Sequence, residues 1–547
     1  MYDDLARLRL HASTIGALLL TTADRFPDRD CLIFPHHRHT WSTMAAAARR
    51  RASALHALGV RSGDHVGVLM PNCPEYLELV YGCALLGAVA VLMNARYKAS
   101  ELAYVIENAD LKILITTDLI SEYADFAELL HAALPELSAR TKAEDQVREP
   151  LALSSAPALR HLVMLGSSRP TGFIDATAFE TLARTDAPID ALRAAVRLSA
   201  PAIMMYTSGT TANPKGCPLS HEILVRNGIN MNRQRYFLTE QDVFWAPLPM
   251  FHMAAILPAL ACMDSGAALL TSTHFEPGEA LRLLEEERVT IAFPAFPTVT
   301  NALIDHPDFA LRNLSRIRRL NNVAPVDMLK RFQSAFPQAV QTGAYGMTEL
   351  GGVISFNHPA ETLEERLDAC GVPFPGIEAQ IVDPESLRPV PLGEQGEIWV
   401  RGYAVFDGYY KAPDKNAESF HAGWFRTGDL GSLDARGAIR FHGRLKDMLK
   451  VGGENVAALE IESFLARHPA VRLAQVVGVP DAKLLEVPVA FVERVPGVEV
   501  TADELIAFCR GQLASFKVPR AIHFVTDWPM SSTKVQKFRL REALLAG

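Results

Sequence analysis

The chain has 547 residues, with 54 Lys and Arg against 62 Asp and Glu, for a formal net charge of −8. Apolar residues make up 49% and charged residues 21%, which excludes wholesale disorder, and with no basic excess the chain is a poor candidate for binding a nucleic-acid backbone. Its length leaves room for three to four compact units at about 150 residues each.

The first residues include Asp3 and Asp4, and the longest early apolar run, at 17–20, is too short for a secretory signal. His36, His37 and His39 fall in a polar stretch without fixed ligand spacing and read as a surface turn, not a metal site. The alanine-rich stretch 44–58 predicts a helix ending at Gly59, and HVGVLM at 65–70 a strand stopped by Pro71 and Asn72. The greasiest stretch, 80–93, is fourteen residues long, short of the roughly 20 that cross a bilayer. It reads as a buried helix, bent or tightly packed at Gly82 and Gly87. LKILITT at 111–117 predicts a second strand, and the polar, proline-punctuated stretch 140–158 a surface excursion. Helix–strand alternation of this kind predicts an α/β fold with layered, largely parallel sheets. It continues to about residue 440. Beyond Gly443 a small α+β unit is expected: a helix at 457–468, strands at 473–479 and 487–495, and a helix opened by Thr501 with Glu504 three residues on, a capping box. The expected division is 1–445 and 446–547. The seven cysteines, Cys31, Cys73, Cys83, Cys217, Cys262, Cys370 and Cys509, are scattered and contain no C-x-x-C pair. That pattern suits reduced thiols in a cytoplasmic enzyme.

The most informative segment is MMYTSGTTANPKGCPLSH at 204–221. An apolar strand delivers the chain into a loop where Thr207, Ser208, Thr210 and Thr211 offer hydroxyls, Gly209 lets the backbone fold inward and Lys215 adds a positive charge. Such a loop can surround phosphate oxygens. It is not a Walker A loop, which needs Gly-Lys-Ser/Thr opening a helix; here Lys215 precedes Gly216, and the chain has no Gly-Lys pair. The loop resembles the signature of the adenylate-forming superfamily, which includes acyl-CoA synthetases, luciferases and peptide-synthetase adenylation domains. The resemblance repeats in the family's order: PLPMFHMAA at 247–255, NNVAPV at 321–326, YGMTE at 345–349, GWFRTGDLG at 423–431, GRLKDMLKVGGENV at 443–456 and SSTKVQKFRLRE at 531–542.

In YGMTE, Tyr345 can stack on a purine, Thr348 offers a hydroxyl to phosphate, and Glu349 is a hard oxygen ligand suited to Mg²⁺. The resemblance implies that ATP and AMP are held by Thr207, Ser208, Gly209, Thr210, Thr211, Lys215 and Thr348 on the phosphates, by Val323, Ala324, Pro325, Tyr345, Gly346 and Met347 around the adenine, and by Asp429 and Arg444 on the ribose. It implies that Lys534 reaches the α-phosphate as the adenylation lysine, with Thr207, Glu349 and His252 as further catalytic groups. Lys446 stands at the family's hinge, and Gly452, Gly453 and Glu454 match the strip facing the CoA arm. The acid pocket would draw on His252, Met253, Gly343, Ala344 and Gly351. His252 reads either as a gate beside the carboxylate or as a satisfied core histidine. The small residues Gly343, Ala344, Gly346, Gly351 and Gly352 suggest a roomy apolar pocket. Ala212 and Thr533 stand where the family commonly has glycine, which restricts backbone freedom, but neither removes a charged or ligating group.

The implied activity is an ATP-, Mg²⁺- and coenzyme A-dependent ligase. It would activate an apolar carboxylic acid as acyl-AMP with release of pyrophosphate, then pass the acyl group to CoA with release of AMP. Loading of a carrier protein in trans and a non-catalytic adenylate or acyl sensor are the alternatives, and a homo-oligomer stays open.

Overall fold

Strands that read as continuous apolar runs must be covered on both faces, and the computed structural model, which describes residues 13–139, 149–207, 213–324, 326–451, 454–481, 483–530 and 535–546, places them accordingly. Seven strands form one sheet in the order Phe173–Asp175, His161–Leu165, Leu111–Thr117, His65–Leu69, Val89–Leu92, Pro201–Thr207 and Lys215–Ser220. All neighbours are parallel except the last pair, an antiparallel hairpin. A second seven-stranded sheet runs Val340–Thr342, Arg319–Asn322, Ile291–Ala295, Val243–Trp245, Ala268–Leu270, Asp30–Phe34 and His37–Thr40, again parallel save for its last pair. Helices Pro74–Leu86 and Met253–Ser265 are buried nearly all round and join the core that both sheets share. This is why their sequences are apolar without a polar stripe.

The third sheet is antiparallel, with strands Ile377–Val382, Gly396–Gly402, Trp424–Leu433, Phe420–His421 and Ile439–Arg444. The last sheet holds Met448–Val451, Glu454–Ala457, Val471–Asp481, Leu485–Arg494 and Ala521–Phe524. It encloses its own core of Leu449, Val456, Ile461, Leu465, Val476, Ala490 and Leu505. The fold is thus a large α/β domain of layered sheets plus a small C-terminal α+β domain. Arg467 of the small domain reaches Asp327 of the large one at 2.9 Å. The expected capping box is present: the Thr501 side chain accepts from Glu504 N–H, and the Glu504 carboxylate accepts from Thr501 N–H at 2.8 Å, opening helix Ala502–Cys509.

Three expectations need correction. The run 80–93 is not one helix: helix Pro74–Leu86 stops at Gly87, whose φ of +70° makes it a left-handed cap, and the chain enters strand Val89–Leu92. Gly82 does mark tight packing, since a Cβ there would lie 2.9 Å from Arg51 Cβ of helix Trp41–Ala57. Within 140–158, Leu151, Leu153 and Ala156 are buried and join a core cluster, so that part is not a surface excursion. His39 is no surface residue either. Its ring lies buried, Nε2 3.1 Å from Glu78 Oε1, and Glu78 also takes the Arg51 guanidinium at 2.9 Å. All seven cysteines are unpaired, and among the described residues no helix is long and apolar enough to cross a membrane.

Candidate active site

The strand Pro201–Thr207 ends on Thr207, which is the register partner of Lys215 across the hairpin. These two residues form the stem of the hydroxyl-rich loop; Ser208, Gly209, Thr210, Thr211 and Ala212 lie outside the described residues. Glu349 comes to the same stem from a short turn, Thr348–Leu350. Two features hold that turn. Gly351 takes φ +64°, where a side chain is strained, and Asn227 Nδ2 donates to the carbonyls of Leu350 at 3.0 Å and Gly351 at 3.1 Å. The turn is thereby pinned to helix His221–Met231.

Glu349 is buried, and Oε1 accepts the Tyr409 hydroxyl at 2.8 Å and the Thr207 hydroxyl at 3.4 Å. Burial and the Glu349 charge push the Tyr409 phenol far up, so it stays a donor. Lys215 Nζ stands 5.6 Å from the centre of the Tyr409 ring. Burial, with Lys415 nearby, lowers the Lys215 pKa. Tyr409 also contacts Phe406, whose N–H donates to the Glu349 carbonyl at 3.0 Å. Its neighbour Tyr410 donates through its N–H to the Gly216 carbonyl at 2.8 Å and through its hydroxyl to Asp110 at 2.7 Å. This segment therefore braces both the carboxylate and the loop stem. Tyr409 lies beyond the sequence motifs, and a tyrosine in a polar loop carries no mark that its hydroxyl will meet an acid 60 positions back.

A second constellation lies on the third sheet and the turn motif. Asp429 and Arg444 are register partners on adjacent strands. Asp429 is buried; its Oδ2 accepts the Tyr345 hydroxyl at 3.0 Å, and its Oδ1 lies 3.4 Å from Arg444 Nε. Burial, then the Asp429 charge, pushes the Tyr345 phenol well up. Phe441 lies beside Tyr345, ring centroids 6.1 Å apart, an aromatic neighbour that the motif pattern did not indicate. Lys446 sits two residues past Arg444 in the turn Leu445–Asp447, its pKa lowered by burial and by Arg444. Val323 and Ala324 follow strand Arg319–Asn322, and Val323 N–H donates to the Ala295 carbonyl at 2.8 Å. Pro325, Gly452, Gly453 and Lys534 lie outside the described residues, as does the side chain of Glu454.

His252 is half-buried at the N-terminus of helix Met253–Ser265, its ring 4.6 Å from that of Phe251. The inference of pocket room from small residues is not upheld. A Cβ at Gly346 would lie 2.2 Å from the Gly352 carbonyl oxygen, and at Gly351 2.3 Å from Ile223 Cγ2. At Gly352 it would lie 3.0 Å from Met253 Cβ. Gly343 N–H donates to buried Asn357 at 2.8 Å. Close packing by backbone and side chains accounts for the glycines here without any appeal to ligand space. The cavity of about 1100 Å³ lined by Val326, Leu363, Leu392, Leu433 and Arg436 includes none of the candidate site residues.

One buried carboxylate, Glu349, therefore meets hydroxyl donors and Lys215 at the loop stem, and a second, Asp429, is held with Tyr345 and Arg444 on the third sheet. Among the described residues no cluster of three or more His, Cys, Asp or Glu side chains could cage a metal ion. A lone Glu349 beside the stem of the hydroxyl-rich loop fits a divalent cation that would take its remaining ligands from phosphates and water, the usual arrangement for Mg²⁺.

Residues 19–410 match the AMP-binding enzyme family, and residues 460–534 match the AMP-binding enzyme C-terminal domain. The chain is 37% identical over 542 residues to the putative acyl-CoA synthetase YngI of Bacillus subtilis (strain 168), covering 97% of each. It is 32% identical to the mitochondrial medium-chain acyl-CoA ligase ACSF2 of Mus musculus, covering 97% of this chain and 88% of that one. Among solved structures, the anthranilate CoA ligase AuaEII in complex with anthranoyl-AMP superposes with a TM-score of 0.85 at 27% identity, covering 97% of this chain and 98% of the other.

Proposed function

The chain belongs to the AMP-binding enzyme family, and from that premise we infer that it is an ATP-dependent acid–CoA ligase. A carboxylate attacks the α-phosphate of ATP to give acyl-AMP and pyrophosphate, and the CoA thiol then takes the acyl group and releases AMP. The observation that carries this reading is the convergence of Thr207 and Tyr409 on Glu349, with Lys215 over the Tyr409 ring, together with the Tyr345–Asp429–Arg444 set.

In the adenylation step, charge builds on the phosphorus oxygens. The Lys215 ammonium and the Thr207 hydroxyl at the loop stem supply preorganised stabilisation there. Glu349, fixed by the Tyr409 hydroxyl, would hold Mg²⁺, which supplies charge neutralisation on the phosphates. Asp429 offers a short two-oxygen carboxylate to the ribose hydroxyls, with Arg444 beside it at 3.4 Å. Tyr345 and Phe441 set aromatic surface at the adenine end, with Gly346, Met347, Val323 and Ala324 completing that rim, and Thr348 offers its hydroxyl to the phosphates. His252 and Met253 line the carboxylate side, and the acid is apolar. The relatives span a medium-chain acid ligase and an anthranilate ligase, so a straight chain and a single aromatic ring are the first acids to try.

We divide the chain at 445/446: the larger part binds nucleotide and acid, and the smaller carries Lys534. Rotation about Lys446 would exchange Lys534 for the strip Gly452, Gly453 and Glu454, admitting the pantetheine arm. Free thiols throughout suit a cytoplasmic setting.

Lys534→Ala tests the assignment. Pyrophosphate release should fall by roughly 10²- to 10³-fold, the scale of losing one positioned charge at the reacting centre. Conversion of supplied acyl-adenylate and CoA to thioester should persist. Unchanged pyrophosphate release would remove Lys534 from the mechanism.

A further inference from the structure

Helix Lys537–Ala546 begins three residues after Lys534, and its first residue is a lysine. A cation at a helix N-terminus opposes the helix dipole, so its place there calls for a partner. The partner is Glu462 on helix Ala458–Leu465: Lys537 Nζ lies 2.6 Å from Glu462 Oε1. Glu462 is buried, and the same oxygen accepts Val476 N–H at 2.7 Å. The Lys537 ammonium also stands 3.9 Å from Asp447, in the turn Leu445–Asp447 that includes the hinge position Lys446. One cation thus joins three elements far apart in sequence.

The neighbouring chain is clamped on both sides. Met530 and Val535 form an antiparallel bridge, and Gln536 N–H donates to the Pro529 carbonyl at 2.7 Å, which joins the described residues before 531 to those after 534. Before it, Trp528 Nε1 donates to Glu493 at 2.8 Å. After it, Leu540 packs with Val477 and Phe491, and Arg541 reaches Glu486 at 3.0 Å.

We propose that Lys537 is a positioning residue for the adenylation half-reaction: seated on Glu462 beside Asp447, it fixes the foot of the segment that carries Lys534 and ties that foot to the hinge turn. This rests on the reading of Lys534 as the adenylation lysine. A misplacement of about 1 Å costs on the order of 10²-fold in rate, so the seat of Lys537 matters even though its ammonium touches no substrate. Thioester formation does not use Lys534, so its rate from supplied acyl-adenylate does not depend on how that lysine is placed.

The test measures both half-reactions separately in the full chain: pyrophosphate release from acid and ATP, and thioester formation from supplied acyl-adenylate and CoA. Lys537→Met should lower kcat for adenylation by roughly 10- to 100-fold, with KM for ATP and acid changed by less than about threefold and thioester formation by less than about twofold. Lys537→Arg, which can still reach Glu462, should recover most of the rate. Should Lys537→Met fail to fold, Glu462→Gln keeps the shape and the acceptor for Val476 N–H, and should give the same split with a smaller loss. Equal losses in both half-reactions, or parent-like adenylation in a folded variant, would overturn the proposal. Lys534→Ala measured alongside separates the two claims. If it adenylates at the parent rate, the reading of Lys534 falls and this one with it. If it is crippled while Lys537→Met is not, only the role of Lys537 falls.

Discussion

Tyr409→Phe removes one oxygen and isolates one contact. The ring keeps its packing against Phe406 and its face toward Lys215, so the fold and the cation–π geometry survive. What goes is the 2.8 Å hydrogen bond to Glu349 Oε1. The remaining donor, Thr207 at 3.4 Å, is too long to replace it. A hydrogen bond to a charged group is worth about 1.5–3 kcal/mol, and at 1.36 kcal/mol per factor of ten that is about 10- to 150-fold in rate. The loss should appear in kcat/KM for pyrophosphate release and should be steepest at limiting Mg²⁺, because the loosened group is the carboxylate proposed to hold it. Initial rates across a Mg²⁺ titration, with circular dichroism to verify the fold, make the measurement. A change below about twofold at every Mg²⁺ concentration would refute the claim that Tyr409 sets Glu349 in place.

Asp429→Ala should raise KM for ATP by roughly 10-fold or more, the loss expected for a charged hydrogen-bond partner; an unchanged KM would take Asp429 off the ribose. Gly351→Ala should destabilise the chain by about 2–4 kcal/mol, since φ is +64° and the new Cβ would meet Ile223 at 2.3 Å; thermal melting reads this, and a parent-like midpoint would contradict the packing described. His221 is buried, with Nδ1 accepting from Ile15 N–H at 3.3 Å, and burial pulls its pKa down to about 4. Its folded-state pKa is below the unfolded value of about 6.5, so the unfolded chain binds the proton first. The stability is complete above pH 6.5 and is lost as pH falls toward 4, by about 3 kcal/mol in all. Urea unfolding of the parent and His221→Gln at pH 7 and 4.5 should show a steeper loss in the parent; equal losses would refute it.

Local signals were legible wherever the chemistry is local. The capping box at Thr501 and Glu504, the strands at 65–69 and 111–117 and the helix stop at Gly59 all follow from neighbouring residues. The YGMTE motif singled out Tyr345 and Glu349 by residue type, although only the fold brings Tyr345 onto Asp429. The run 80–93 misled because a buried helix end and a buried strand are both continuously apolar; Gly87 was the cue, readable as a C-cap as easily as a bend. Small residues at 343–352 are ambiguous in sequence for a similar reason. Glycine serves ligand room or close backbone approach equally, and Ile223 and Met253, which decide the matter, lie about a hundred positions upstream. His39 was misjudged because its partner Glu78 comes from helix Pro74–Leu86, 39 positions on, and Tyr409 gave no signal because its hydroxyl acts across a distance that no motif encodes.

The most direct test of the ligase reading is the identity of the nucleotide and acyl products. Purified chain, ATP and Mg²⁺ are incubated with straight-chain, branched and aromatic carboxylic acids, with and without CoA, and AMP, ADP, pyrophosphate, phosphate and thioester are quantified. AMP and pyrophosphate in equal amounts, with thioester accumulating only when CoA and one class of acid are present, is the expected result. ADP and phosphate as the products, or AMP turnover indifferent to both acid and CoA, would contradict it.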